Sequence, residues 1–360
     1  MSTLPEATPH EPDREGSPQA EHAGEQWRPE PWPLPAMPRE VAPDEALPPH
    51  DEPVGAHHEQ VYIPEPPQML EEAAGDERPM FGSFPAPEPP QPARIPNLGH
   101  LAVLLLLALL GLLVAGGLSQ LALLYHFFGV QNTEQALTDI HYTLGSEAIL
   151  YIVTLAASIG IFPLMWHKSL FAGLGWNAAT ARRLSPMLIG AAFVCFLLAL
   201  VNGWLMPGPP DAPIDRMFRV PGAAWLLFAF GVTFAPFFEE LVFRGFLLPA
   251  LCTACDWAAE KFRGIPPPPL AADGQPQWSI PAMVTGAILT SLPFAGMHAA
   301  QTGYSVGPFV LLILVSLVLC AARLWTRSLA SSVLVHASYN FMLFSLMLFG
   351  TGGFKHLENM

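Results

Sequence analysis

Beyond residue 97, long apolar stretches alternate with short polar connections. About 20 consecutive apolar residues are enough for a helix to cross the hydrocarbon core of a bilayer. Such stretches occur at roughly 98–124, 148–165, 187–206, 223–251, 280–300, 308–322 and 329–349. The pattern therefore predicts an all-α fold, a polytopic bundle of about seven transmembrane helices embedded in the lipid bilayer.

The first part of the chain has a different composition. Residues 1–96 are rich in Pro, Glu and Ala and show no apolar period, which is typical of segments that cannot bury enough apolar surface to fold. We predict a disordered acidic, Pro-rich tail there. The expected division continues with N-terminal transmembrane helices at 97–221, a core at 222–349 with an insertion at 252–279, and a short C-terminal tail at 350–360.

Charge is unevenly distributed along the chain. The formal net charge is −14, and the acidic excess lies within residues 1–95, whereas the remainder is balanced. No basic run with interleaved aromatic residues occurs, so we expect no nucleic-acid partner. The connections on one side carry more basic residues than those on the other: Lys168, Arg182, Arg183, Lys261, Arg263, Arg323 and Arg327 against Arg216, Arg219 and Lys355. By the positive-inside rule we expect a multi-pass protein of the plasma or inner membrane, with the N-terminal tail in the cytoplasm.

The fourth apolar stretch contains the segment FAPFFEELVFRG, which places Glu239, Glu240 and Arg244 in an apolar run. Each charge costs about 2.5–3.5 kcal/mol at the centre of a membrane helix. On a helix, Glu240 and Arg244 share a face and can pair, whereas Glu239 points elsewhere. This spacing favours a structural pair beside a reactive Glu239. The alternative is an ion pair that joins helices without any chemistry.

Two further spans carry polar residues. His298 lies in the fifth span, and His336 and Asn340 lie four residues apart, on one face, in the seventh. Helix bundles build sites from inward-facing side chains on different helices. A carboxylate and an imidazole can remove a proton from water, and a second imidazole and an amide can stabilise an oxyanion. Glu239, His298 and His336 can also act as three Zn²⁺ ligands. Both alternatives lead to hydrolysis of an amide bond.

The depth of these residues in the bilayer raises a geometrical question. Straight helices with the bounds above place Glu239 and His298 towards opposite sides of the membrane. Later helix starts, or a bend at Pro236 or Pro293, would bring them to the same depth. The sequence leaves these alternatives open.

Three motifs carry a family resemblance. EELVFRG resembles the EExxxR motif of the CPBP intramembrane proteases, FAGMH the FxxxH motif and HASYN the HxxxN motif, in the same order. This family includes CAAX prenyl endopeptidases, bacteriocin-processing proteins and proteins like lysostaphin resistance protein A. The similarity covers about residues 225–344, and the insertion at 252–279 is longer than we expect for the family.

The resemblance implies a cavity open to the cytoplasm and an intramembrane endopeptidase acting on membrane-associated peptides or proteins. By resemblance, Glu239 activates water with help from His298, His336 and Asn340 stabilise the oxyanion, and Glu240 and Arg244 support the site. A metal-assisted mechanism with Zn²⁺ and a metal-independent glutamate mechanism both fit. The alternatives are a non-catalytic membrane scaffold or immunity-type protein, and an ion or proton carrier.

Overall fold

The computed structural model describes residues 94–209, 212–220, 222–272 and 274–355, and every regular element in these ranges is helical. A 3-10 turn spans Phe127–Gly129, and a π-helical segment spans Leu241–Leu247. The α-helices are α1 (Leu98–Leu124), α2 (Thr133–Thr138), α3 (Ile140–Trp166), α4 (Leu170–Gly173), α5 (Ala178–Arg183), α6 (Ser185–Leu205), α7 (Pro213–Phe218), α8 (Ala223–Val232), α9 (Phe234–Glu240), α10 (Leu248–Arg263), α11 (Ile280–Met297), α12 (Val306–Thr326) and α13 (Leu329–Gly350).

The predicted all-α class and the seven spans are confirmed. Seven helical stretches are long and apolar enough to cross a membrane: α1, α3, α6, the run from α8 to α10, α11, α12 and α13. The sixth span is a full 21 residues, longer than the stretch predicted for it. The predicted disorder of residues 1–96 falls almost entirely outside the described residues.

The second span begins earlier than we predicted. Helix α3 starts at Ile140, because the Asp139 side chain caps it by accepting hydrogen bonds from the backbone N–H groups of His141 and Tyr142. The first two turns contain polar residues, so their hydropathy does not reveal them as part of a membrane span. This earlier start places Glu147 inside the helix.

The fourth span is a long run interrupted twice. The first interruption is a break at Thr233 (φ −116°, ψ −69°), three residues before Pro236, which has no N–H to continue the helical ladder. The second is the π-helical segment, and π-segments occur frequently at functional sites. Of the alternatives that would bring Glu239 and His298 to the same depth, the structure has a break close to Pro236. The later helix starts are wrong, because α8 and α11 begin at Ala223 and Ile280.

The fourth span lies between two packed groups of helices. On one side, Phe246 packs with Phe162, Trp166 and Leu104 from α3 and α1. On the other, Phe243 belongs to a core that includes residues of α6, α11, α12 and α13. Many large apolar side chains on the outer faces of the spans are exposed, as lipid-facing residues of a bundle are.

The first half of the predicted insertion at 252–279 is not a loop, because α10 continues to Arg263. The end of the second half is held against α10: the Asp256 carboxylate accepts hydrogen bonds from Ser279 N and Oγ, at 3.2 and 2.6 Å. Trp278 Nε1 donates to Thr253 Oγ1 at 3.0 Å, and Arg94 donates to the carbonyl groups of Pro268 and Gln277. The insertion is therefore anchored at both ends.

Candidate active site

The EELVFRG motif sits where the backbone changes its winding. Glu239 and Glu240 end α9, and Arg244 lies in the π-helical segment that follows. A π-turn shifts the direction of the side chains after it relative to an α-helix. The local backbone thus allows one short stretch to present its charged groups to several neighbouring helices.

Glu240 and Arg244 form the ion pair predicted from their spacing. Arg244 Nη1 lies 2.8 Å from Glu240 Oε1, and both side chains are completely buried. Arg244 Nη2 also donates to the Oγ and the carbonyl oxygen of Ser316 on α12, at 2.7 and 3.1 Å. The guanidinium lies over the Phe294 ring, 4.4 Å from its centroid. Arg244 therefore contacts partners on three helices, α9, α11 and α12, and holds these helices together.

His336 is joined to the same carboxylate. Its Nδ1 lies 3.0 Å from Glu240 Oε1. An ionised carboxylate only accepts hydrogen bonds, so Nδ1 carries the proton in this contact. In the neutral ring, Nε2 then bears a lone pair, and it lies 3.8 Å from Glu239 Oε2.

His298 is oriented in a similar way by a backbone group. The carbonyl oxygen of Phe294, one turn earlier, lies 2.9 Å from His298 Nδ1. A carbonyl accepts, so Nδ1 again carries the proton, and Nε2 is left as an acceptor. This Nε2 lies 3.9 Å from Glu239 Oε2.

Three proton-accepting atoms therefore converge on one point. They are Glu239 Oε2 and the two Nε2 atoms of His298 and His336. Glu239 Oε2 is buried and has no hydrogen-bond partner among the described residues. A buried acceptor without a donor is costly, so this arrangement calls for a water molecule, a proton or a cation between the three atoms.

The donor types and the spacing of the same three atoms show how well they would fit a bound metal ion. Their chemistry suits Zn²⁺, which binds imidazole nitrogen and carboxylate oxygen. Two ligands of a tetrahedral zinc lie about 3.4 Å apart, given metal–ligand bonds of roughly 2.0–2.1 Å. The separations of 3.8 and 3.9 Å are wider, and within the described ranges no group of His, Cys, Asp or Glu residues is arranged as a metal site. The donor types fit a metal, whereas the spacing is looser than a closed site.

Asn340 is directed to a different partner. Its Nδ2 donates to the carbonyl oxygen of Gly231, near the end of α8, at 2.8 Å. A Cβ at Gly231 would come within 2.9 Å of the Phe344 ring on α13, so a side chain at position 231 would require this ring to move. Five of the six predicted residues are joined by contacts, and Asn340 instead fastens α13 next to the break before α9.

Glu147 and Tyr151 on α3 were missed by the sequence analysis. The Tyr151 hydroxyl donates to Glu147 Oε1 at 2.6 Å, and its ring stacks on Phe238 with 4.6 Å between centroids. Glu147 lies within electrostatic range of both Glu239 and His298. An available signal was a glutamate four residues before a tyrosine, but our boundary for the second span excluded Glu147.

Arg323 on α12 was predicted only as a basic residue of a connection. It is buried, and its Nε donates to the Arg244 carbonyl oxygen at 3.3 Å, while its Nη2 donates to the Leu174 carbonyl oxygen at 3.0 Å. It thereby fixes the backbone of the π-helical segment against the connection before α5. No sequence pattern distinguishes this arginine from the solvated Arg182 and Arg183.

Two cavities lie away from the six predicted residues. One, of about 390 Å³, is an apolar groove between α11 and α12, lined by side chains such as Met283, Leu317 and Trp325. The other, of about 130 Å³, lies between α1 and α3, near His141. None of the six predicted residues lines either cavity, so these two cavities are separate from the candidate active site.

The helices and the cluster together define the class of protein. Seven helices able to cross a bilayer, with ionisable side chains joined inside the bundle, describe an integral multi-pass membrane protein with an internal polar site. Residues 221–342 match the family model of the Rce1-like type II CAAX prenyl endopeptidases, and the match confirms for this segment the resemblance drawn from the three motifs. The segment includes all six predicted residues. Comparisons with curated proteins and with solved structures gave no match.

Proposed function

We propose that this protein is an intramembrane endopeptidase that hydrolyses peptide bonds of membrane-associated substrates. The observation that carries the proposal is the convergence of Glu239 Oε2 with the Nε2 atoms of His298 and His336. A carboxylate without a hydrogen-bond donor, held beside two imidazoles in an apolar bundle, has the properties of a general base that binds water. The match to a prenyl endopeptidase family supports the same class of reaction.

The proposed reaction begins with a water molecule that donates its two hydrogens to Glu239 Oε2 and His298 Nε2. Glu239 takes one proton as the water oxygen forms a bond to the substrate carbonyl carbon, and the carbonyl π-electrons move to its oxygen. When the tetrahedral intermediate collapses, the C–N bond breaks, and Glu239 returns the proton to the leaving nitrogen. His298 Nε2 accepts the second hydrogen of the water and so orients its lone pair towards the substrate.

The oxyanion requires a donor, and we assign this role to His336. A neutral His336 that donates from Nδ1 to Glu240 has no proton on Nε2, so it must be doubly protonated to donate to the oxyanion. Glu240 lies 3.0 Å from Nδ1 and stabilises that form by its negative charge. For Asn340 we propose a positioning role, because its amide is engaged by Gly231.

A bound metal remains a separate proposal. Glu239, His298 and His336 would hold Zn²⁺, which would polarise a bound water and lower its pKa. Elemental analysis of the purified protein, before and after dialysis against a chelator, tests this directly. Stoichiometric zinc, lost together with activity and restored by zinc, supports the metal mechanism; full activity in metal-free protein contradicts it.

Orientation and substrate also belong to the proposal. The excess of Lys and Arg on one set of connections supports a cytoplasmic N-terminal tail, in a plasma or inner membrane. We propose substrates that reach the site from the bilayer, either C-terminal CAAX segments carrying a prenyl group or leader peptides. Reporter fusions after residue 206, which follows the third span, and after residue 350, which ends the seventh, test the orientation. We expect both positions to lie outside the cytoplasm.

The decisive experiment is proteolysis by the full chain in lipid nanodiscs, with fluorogenic peptides of both substrate types. We expect Glu239→Gln to lower kcat by about 10²–10⁴-fold, the usual contribution of a general base. Glu134→Gln on the exposed helix α2 is the matched control and should retain full activity. Equal cleavage by wild type and Glu239→Gln would contradict the proposal and favour a scaffold.

A further inference from the structure

Glu147 is an ionisable residue within a membrane-length helix. It lies in the second turn of α3, a 27-residue helix of high hydropathy. A charged side chain inside such a helix costs free energy, and residues of this kind are usually retained for function, with a specific partner. The structure provides Glu147 with a neutral partner, the Tyr151 hydroxyl, at 2.6 Å.

Tyr151 connects Glu147 to the proposed active site by packing. Its ring is stacked between Phe238, 4.6 Å away, and Phe230, 6.1 Å away, both on the fourth span. Phe238 immediately precedes Glu239 in the chain. The hydroxyl can thus hold the Glu147 carboxylate at a fixed place relative to Glu239, at the side of the site formed by α3.

The charges around the site are unevenly distributed among the helices. Arg244 is engaged by Glu240 at 2.8 Å. In the part of the chain that the structure describes, neither Glu147 nor Glu239 forms an ion pair with a lysine or an arginine. The Glu239 side chain is only 10% exposed, and its Oε2 lacks a hydrogen-bond donor. The positive charges that act on Glu239 belong to Arg244 on the fourth span and His336 on the seventh, whereas Glu147 on α3 is paired only with the neutral Tyr151 hydroxyl among the described ion pairs and side-chain hydrogen bonds.

We propose that Glu147, held by Tyr151, forms an anionic subsite that binds a cationic nitrogen of the peptide substrate. The inference rests on the proposed endopeptidase function and adds a specificity-determining residue to it. A ligand with an ammonium or guanidinium group would supply Glu147 with a positive charge, since no ion pair joins Glu147 to a lysine or an arginine of the described residues. Pairing of such a group with a carboxylate is strong where water is scarce.

The cationic nitrogen has two sources in this chemistry. One is a Lys or Arg side chain close to the scissile bond. The other is the amino group freed by hydrolysis, which takes up a proton and leaves as an ammonium while the other product leaves as a carboxylate. The two sources differ in the step that they affect, since a side chain contributes to substrate binding and the new ammonium contributes to product binding.

The test uses the full chain in nanodiscs with matched peptides that carry Lys or norleucine beside the scissile bond. If a side chain is bound, Glu147→Gln raises KM for the Lys peptide by roughly 10-fold or more, the scale of a lost hydrogen bond to a charged group, and leaves the norleucine peptide unchanged. If the new ammonium is bound, KM is unchanged and inhibition by the amine-terminated product weakens by a similar factor. Tyr151→Phe, which keeps the ring stacking, should show a smaller effect of the same kind, and Glu134→Gln should show none.

Equal effects of Glu147→Gln on both peptides, together with unchanged product inhibition, would overturn the proposal. A second measurement separates this from failure of the proposed function: binding of labelled Lys and norleucine peptides to the same nanodiscs, which requires no turnover. If the protein cleaves both peptides and Glu147→Gln does not change its preference between Lys and norleucine, the subsite is contradicted and the endopeptidase function is retained. Absence of cleavage, with discrimination in binding retained, contradicts the endopeptidase function and supports the subsite.

Discussion

Glu239 and Glu240 are adjacent in the chain but have opposite surroundings. Glu240 belongs to what we call the closed half of the site, with Arg244 and Ser316, where the side chains are fully buried and an ion pair joins Glu240 Oε1 to Arg244 Nη1. Glu239 belongs to the open half, with His298 and Glu147, where His298 is 19% exposed and no guanidinium is bound. A one-residue step along the helix separates the ion-paired Glu240 from Glu239, for which we propose the reactive role.

The difference shows how an apolar bundle can keep an unpaired carboxylate in place. The ion pair of the closed half fixes the π-helical segment and orients His336, and these contacts hold the backbone that carries Glu239. Ground-state partners for Glu239 would stabilise the protein but would compete with water and substrate. The ion pair of the closed half supplies stability, whereas the open half leaves Glu239 without an ion pair to a lysine or an arginine of the described residues, and groups held in this way are common at functional sites.

The largest expected effect is on stability in the closed half. Arg244→Met leaves Glu240 buried without its cation, and breaking a buried pair in this way costs about 3–5 kcal/mol. Unfolding in SDS titrations, with Arg182→Met on exposed α5 as control, measures the loss. The double variant Glu240→Leu/Arg244→Met should recover much of the stability, while activity stays low because His336 has lost its partner. Full stability of the single variant would mean that the pair is not the anchor described above.

The open half should respond with the opposite sign. Replacing Glu239 with Leu removes a buried carboxylate oxygen that has no donor, so we expect the free energy of unfolding to rise by about 1–3 kcal/mol. Activity should be abolished in the same variant. The same SDS titration measures the change, with Glu134→Leu as control. A loss of stability as large as that of Arg244→Met would show that Glu239 has a structural partner and that the two halves do not differ.

The sequence predicted the members of the closed half better than the geometry of the open half. Spacing alone paired Glu240 with Arg244, because residues four apart on a helix share a face. Local spacing cannot reveal contacts between distant segments, such as His336 with Glu240 or Asn340 with Gly231, which depend on how helices pack. Glu147 was missed for a related reason: polar residues that face inward lower the hydropathy of the first turns of α3, so the helix appeared to begin after it.

The backbone of the fourth span was also predicted only in part. Pro236 indicated a bend, and the structure has a break at Thr233 close by. Nothing in the letters of the motif indicated a π-helical segment, because its stability depends on tertiary contacts such as the hydrogen bond from Arg323 to the Arg244 carbonyl. Seven spans followed from hydropathy, since the bilayer imposes the length of each helix.

Arg323 provides a smaller test that links the two halves. Arg323→Lys keeps the charge but cannot reach both carbonyl groups with a planar fork, so we expect a loss of about 1–2 kcal/mol in stability. If the contact also positions the motif, kcat should fall while KM stays near the wild-type value. Arg183→Lys on the exposed surface is the control. A change in KM alone would assign Arg323 to substrate binding and contradict a positioning role.

Asn340 gives the smallest expected effect and decides between two roles for the same side chain. As a clasp between α13 and α8, Asn340→Ala loses one hydrogen bond to the Gly231 carbonyl, worth about 0.5–1.5 kcal/mol of stability, and kcat should fall less than tenfold. As an oxyanion donor, it would instead lower kcat by about 10²–10³-fold, with stability little changed. Kinetics and SDS unfolding of the same preparation, with Asn202→Ala on α6 as control, separate the two. We expect the first outcome, because the amide nitrogen already has a partner at 2.8 Å, and in the proposed mechanism the chemistry then rests on Glu239 and the two histidines.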